Sequence, residues 1–243
     1  MLTQEQLTMM AENVARIREN MSAAAREAGR DPADILLCAA CKTRTVEEVI
    51  ASAALPIDLF GENHVQELVE KTDANAYCGK PGHFIGHLQT NKVRQVVGKV
   101  DLIQSVDSAH LLRAVDREAG RQGIRQDILL EINIGNEASK GGFSPEEILP
   151  LLENFGEFSN VCVKGLMAIP PISRFPGENL EFFQKMRQIS VDIRDIINDN
   201  VKVDCLSMGM SGDFEDAIAA GSTMIRVGTA IFGARDYSKT SSK

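Results

Sequence analysis

Lys42 closes the short apolar run Ile35-Leu36-Leu37-Cys38-Ala39-Ala40-Cys41. A run of this length between polar residues reads as a buried strand, and strand parity puts Lys42 on one face with Leu36, Cys38 and Ala40. An ammonium in a partly desolvated pocket has its pKa lowered, which favours the neutral amine that attacks an aldehyde. The plain alternative is a lysine that leaves the strand end for solvent. Further along, Gly209, Ser211 and Gly212 precede the helical Phe214-Glu215-Asp216-Ala217-Ile218, and Gly228-Thr229 opens a short last helix. Small residues let backbone N–H groups approach a phosphate, and hydroxyls add donors. A single serine at such a place would be an ordinary N-cap; two such helix starts on neighbouring strands favour an anion site. Arg226 shares the parity of Met224 on a strand whose other face carries Thr223, Ile225 and Val227. A buried guanidinium needs a partner, which is either a structural ion pair or a ligand.

Other reactive side chains read more quietly. Cys38 and Cys41 form a C-x-x-C, but residues three apart on a strand face opposite ways, so both are expected as core thiols. Cys78, Cys162 and Cys205 have no metal-site spacing. His83 and His87 share a parity and are expected to satisfy local backbone more than to catalyse. Lys140, in the loop Glu137-Ala138-Ser139-Lys140-Gly141-Gly142, is either solvated or a second amine near the mouth.

These residues need elements to position them. Thr3-x-x-Gln6 is a candidate capping box, and Leu7, Met10, Val14, Ile17 and Met21 follow at steps of three and four, so residues 3–29 form an amphipathic helix ended by Gly29 and Pro32. Apolar runs then alternate with helical patterns. Strands are expected at Ile57 to Phe60, Phe84 to Ile85, Asp101 to Ser105, Ile128 to Ile134, Val161 to Met167, Val203 to Ser207 and Thr223 to Val227, with Gln89-Thr90-Asn91-Lys92 opening the third barrel helix. With the Lys42 run that makes eight. Eight alternating β-α units in 243 residues fit a closed (β/α)8 TIM barrel better than an open doubly wound sheet, and the Gly-x-Gly-x-x-Gly turn of the latter is missing. The expectation is one domain spanning 1–243, an α/β barrel over about 34–237 with the extra N-terminal helix. Polar residues at strand ends, among them Asn63, Glu131, Asn133 and Ser207, then share one rim.

Bulk composition limits the partners. A net charge of −8 with no Lys/Arg run repels polyphosphate, so nucleic acid is not expected. No apolar run approaches the roughly 18 residues of a membrane span, and five cysteines without a secretory signal suit a reducing compartment, so the expected location is cytoplasmic.

Taken together, Cys41-Lys42-Thr43, Phe60-Gly61-Glu62-Asn63-His64-Val65-Gln66-Glu67, His83-Phe84-Ile85-Gly86-His87-Leu88-Gln89-Thr90-Asn91-Lys92, Gly165-Leu166-Met167-Ala168-Ile169-Pro170, Leu206-Ser207-Met208-Gly209-Met210-Ser211 and Arg226-Val227-Gly228-Thr229-Ala230-Ile231-Phe232-Gly233 resemble the pyridoxal phosphate homeostasis proteins. Their barrel is like the N-terminal domain of alanine racemase. The resemblance implies pyridoxal 5′-phosphate (PLP) as cofactor, Lys42 as its Schiff-base lysine, and Ser211, Gly228 and Thr229 as the phosphate cradle. It implies Arg226 beside the pyridine nitrogen, with Asn63, Met167 and Ser207 lining the ring. The chain departs from the family at its first loop, where Arg44-Thr45 stands in place of the usual Lys-Pro.

Three functions compete: a non-enzymatic PLP carrier, a PLP-dependent amino-acid racemase, and a cofactor-free Schiff-base lyase. The lyase would want an acid or base near Lys42 where a phosphate cradle is expected. Two-base racemisation needs a second proton donor facing Lys42. Alanine racemases draw a tyrosine from a second domain, whereas the tyrosines here are Tyr77, in a loop, and Tyr237, near the end. The expectation is a monomeric carrier with no catalytic residues and no metal, open to solvent for loading and release and in transient contact with PLP-dependent apo-enzymes.

Overall fold

The computed structural model describes residues 2–137, 140–196 and 199–233. Thr3 caps helix α1 (Gln4–Glu27): its hydroxyl accepts from Gln6 N–H, and the Gln6 side chain accepts from Thr3 N–H. Met10, Val14, Ile17, Met21 and Ala25 form its buried stripe.

Eight parallel strands follow, β1 (Leu36–Ala40), β2 (Leu59–Glu62), β3 (Gly82–Phe84), β4 (Leu102–Val106), β5 (Gln126–Ile132), β6 (Val161–Ala168), β7 (Val201–Ser207) and β8 (Met224–Val227). They close in sequence order, with β8 pairing back onto β1. Between and after them lie α2 (Val46–Ser52), α3 (Val65–Asp73), α4 (Ala109–Gln122), α5 (Pro145–Glu153), α6 (Leu180–Asp192), α7 (Phe214–Ala219) and α8 (Thr229–Phe232). This is the barrel that the alternation implies, with α1 outside the ring against α7 and α8.

Strand limits move by two residues or fewer from those read in the sequence. One element differs in kind: the segment opened by Gln89 is a 3-10 stretch, Thr90–Gln95, instead of an α-helix. Gln89 offers no side-chain cap, and Gly98 turns the chain at φ 77° soon afterwards.

Two apolar layers fill the space. The larger lies between strands and helices and holds Cys41. Inside the ring, Cys38 packs with Leu59 and Met224, and Leu102 with Leu129 and Met167. Cys38 and Cys41 thus face opposite ways, both free and buried, and burial pushes the Cys38 thiol up to about 12. Among the described residues no three His, Cys, Asp or Glu side chains are grouped for a metal, and no helix is long and apolar enough to cross a membrane.

Candidate functional site

The ends of β1, β7 and β8 enclose a cavity of about 230 Å³. It is lined by Lys42, Ser211, Arg226, Gly228 and Thr229, together with Ala40, Arg44, Met210 and Gly212. The first five are residues the sequence singled out, and the fold brings them together because β8 neighbours β1 on one side and β7 on the other. Among the described residues no carboxylate lines it. The backbone N–H groups of Ser211, Gly212, Gly228 and Thr229 donate to no acceptor among the described residues. Three cationic side chains, two hydroxyls and four open N–H donors make an anion site. A more open cleft of about 1050 Å³ lies at the opposite rim, among Arg30, Arg187 and Thr223. Barrel chemistry gathers at the C-terminal strand ends, where the smaller cavity holds an amine beside an anion cradle.

Arg226 is 4% exposed. Its Nη1 donates to Ser207 Oγ at 2.6 Å and its Nη2 to the Ala168 carbonyl at 2.9 Å. A guanidinium carries five donors, so further N–H groups remain for a ligand acceptor on the cavity side. Desolvation lowers the Arg226 pKa, while the nearby Glu131 carboxylate raises it.

Ser207 passes the contact inward, its hydroxyl donating to Gln104 Oε1 at 2.7 Å. Gln104 Nε2 in turn reaches His83 Nδ1 at 2.8 Å and Met224 Sδ at 3.1 Å. The chain crosses the barrel from β8 through β7 and β4 to β3, and it forms the floor beneath the cavity. Ser207 and Met167, both fully buried, belong to that floor and the packing around it. Asn63 lies after β2 and its Oδ1 is buried with no hydrogen-bond partner. That orphaned oxygen is a place for a ligand or water donor.

On the far side of the mouth Glu131 has its carboxyl pushed up to about 7 by burial and by Asp107. His87 Nδ1 lies 3.1 Å from Asp107 Oδ2 but its side chain is 72% exposed, so its bond is a surface one. Lys140 pairs with Glu137 at 2.5 Å; residues 138 and 139 of that loop lie outside the described residues, as does Tyr237.

The residues present fit a small phosphorylated aldehyde. Lys42 supplies the amine, the paired loops the phosphate donors and Arg226 a donor for a ring nitrogen; Asn63, Met167 and Ser207, expected around the ring, are not among the described residues that line the cavity. Sequence reading missed Arg44, Met210 and Gln104. Arg44 lies at the departure from the family's first loop; it stacks over Phe232, 5.4 Å from the ring centroid, and donates to the Gly233 carbonyl at 2.7 Å.

Comparison with known proteins agrees with this geometry. The family model for the alanine racemase N-terminal domain matches residues 13–236. The pyridoxal phosphate homeostasis protein of Aquifex aeolicus is 40% identical over 226 residues, 93% of this chain and 98% of that protein. Its Escherichia coli K12 counterpart is 39% identical over 233 residues, covering 95% and 98%. The structure of PipY from Synechococcus elongatus with PLP bound superposes with a TM-score of 0.78 at 30% identity, covering 92% of this chain and all of that one. The chain therefore belongs to the alanine racemase N-terminal domain family, among the pyridoxal phosphate homeostasis proteins.

Proposed function

We propose that the chain binds PLP as a Schiff base on Lys42 and serves intracellular PLP homeostasis as a carrier, without substantial turnover. The observation that carries this reading is the single cavity that holds Lys42, Arg226 and the open N–H donors of two loops. When bound, PLP supplies an aldehyde and an electron-withdrawing ring. The Lys42 amine adds to the aldehyde carbon and one water leaves. Ser211, Gly212, Gly228 and Thr229 take the phosphate, and Arg226 donates to the pyridine nitrogen. Asn63, Met167 and Ser207 complete the surroundings of the ring, the last by holding Arg226 in place.

Arg226 also bears on turnover. A permanently charged guanidinium opposes protonation of the ring nitrogen and so weakens the electron sink. Racemases with the same arginine work, so the second base decides. Tyr77 is buried and stacked on Phe60, 5.5 Å between ring centroids, in the layer outside the strands, and is not among the residues that line the cavity. The carrier reading includes transient contact of the monomer with PLP-dependent apo-enzymes.

The test is an absorbance spectrum of protein loaded with PLP, borohydride trapping, and mapping of the modified lysine. Lys42→Ala is expected to abolish the adduct with the fold intact, because β1 already contains alanines and loses no large core volume. An adduct on Lys140 in the wild type refutes the assignment. Loaded protein is also incubated with L- and D-amino acids while α-proton exchange and enantiomer ratio are followed. Turnover at roughly 1 to 10³ per second would refute the carrier reading.

A further inference from the structure

Behind the Lys42 turn, on the side away from the cavity, lies an ion network that the reading above does not use. Lys71 of α3 is 1% exposed and Glu62 of β2 0% exposed, with Lys71 Nζ 2.8 Å from Glu62 Oε1. A pair buried this completely loses most of its attraction to desolvation. Glu62 Oε2 is, moreover, buried with no hydrogen-bond partner, and burial pushes the Glu62 carboxyl up to about 7 against the pull of Lys71. Stability alone does not account for the network; its contacts do. Lys71 Nζ donates to the Cys41 carbonyl at 2.8 Å, on the residue before Lys42. Glu67, one turn earlier on α3, accepts from Thr43 N–H at 2.8 Å, on the residue after it, and its Oε2 lies 3.5 Å from Lys71 Nζ. The residues on both sides of Lys42 are held from one helix.

The turn needs holding. Thr43 has φ 66°, in the left-handed region that a β-branched residue rarely occupies and that persists only where the surroundings fix it. Arg44 N–H closes the same turn on the Cys41 carbonyl at 3.0 Å, so that oxygen accepts twice. Releasing Thr43 would let the turn relax to an ordinary backbone and swing Lys42 out of register with the cavity.

We propose that Lys71 and Glu67, with Glu62 orienting Lys71, are positioning residues that hold the Cys41-Lys42-Thr43 turn so that the Lys42 amine is presented to an aldehyde in the cavity. This rests on the PLP reading above. Two probes separate presentation of the amine from the rest of the site. PLP with borohydride reports Lys42, by the rate at which the adduct forms. Pyridoxine 5′-phosphate, with an alcohol where PLP has an aldehyde, reports the phosphate cradle by its affinity. Glu67→Ala removes the acceptor for Thr43 N–H and is expected to slow adduct formation roughly tenfold or more, as loss of a charge-assisted hydrogen bond warrants. Affinity for pyridoxine 5′-phosphate is expected to hold within about twofold, since no cradle donor is touched. Glu67→Gln keeps an oxygen acceptor and is expected to restore most of the rate. Lys71→Met should slow trapping further; if it fails to fold, the Glu67 variants still decide, because Glu67 is 26% exposed. Equal trapping by Glu67→Ala and wild type overturns the proposal. So does a parallel loss of trapping and of pyridoxine 5′-phosphate affinity, which would mark a merely structural role. Absence of any Lys42 adduct in the wild type sinks the PLP reading itself, and this inference with it.

Discussion

Ser207 Oγ is the only side chain hydrogen-bonded to Arg226 among the described residues, and it also donates onward to Gln104. Ser207→Ala leaves a guanidinium N–H buried without an acceptor, which typically costs about 1 to 3 kcal/mol. The expected outcome is a lower urea midpoint with an unchanged m-value, together with a shifted absorbance of bound PLP as Arg226 relaxes. Ser211 is a different case. Its hydroxyl is one donor among several, and the N–H groups of Ser211, Gly212, Gly228 and Thr229 remain when it is removed. Ser211→Ala should therefore weaken PLP binding by about 1 kcal/mol, the worth of one neutral hydrogen bond. A titration showing near-complete loss would place the phosphate on that hydroxyl instead of on the backbone.

The loop from β7 to α7 depends on one glycine. Gly209 has φ 95°, and a Cβ there would lie 2.6 Å from Ala217 Cβ and 3.0 Å from Phe214 Cα. Its carbonyl accepts from Arg226 N–H at 3.0 Å, which ties the loop to β8. Gly209→Ala must push α7 away and strain the backbone; the expected cost is about 1 to 3 kcal/mol, with a larger loss of PLP affinity than Ser211→Ala. Thermal unfolding and titration check both. This loop and the Gly228-Thr229 turn were legible in the sequence because small residues precede a helical pattern twice, on neighbouring strands. The eight strands were legible because each is apolar and short. Lys71 was not: a lysine on an amphipathic helix reads as part of its wet face, and nothing local says that Glu62, nine residues earlier on a strand, pulls it inside. Gln104 and His83 were hidden similarly, since their role depends on neighbours across the barrel. The 3-10 stretch after β3 was read as α-helix because polar residues followed by valines suit either form.

Two kinds of buried group give the protein's stability opposite dependences on pH. The hydrogen bonds in the barrel floor run one way: Arg226 donates to Ser207, Ser207 to Gln104, and Gln104 Nε2 to His83 Nδ1. His83 must then be neutral with its proton on Nε2, because a proton on Nδ1 would face the Gln104 amide N–H. Burial agrees, pushing the His83 pKa down from 6.5 to about 4. Between those values the unfolded chain takes a proton that the folded one refuses, so stability falls as pH falls from 6.5 towards 4. The shift corresponds to roughly 3 kcal/mol at about 1.4 kcal/mol per pKa unit. Glu62 and Glu131 act the other way. Burial raises each carboxyl to about 7, so the folded state holds the proton more tightly and stability rises as pH falls from 7 towards 4.5. In the wild type these slopes oppose. His83→Gln keeps a side-chain acceptor for Gln104 but removes the titration. Urea unfolding at pH 4.5, 5.5, 6.5 and 7.5 should then show the variant gaining on the wild type by about 2 kcal/mol as pH falls from 6.5 to 4.5, because the lowest point stops short of the folded His83 pKa of about 4. Parallel curves for the two proteins would mean that His83 takes its proton in the folded state at an ordinary pH, and that the Gln104 amide does not point as assigned.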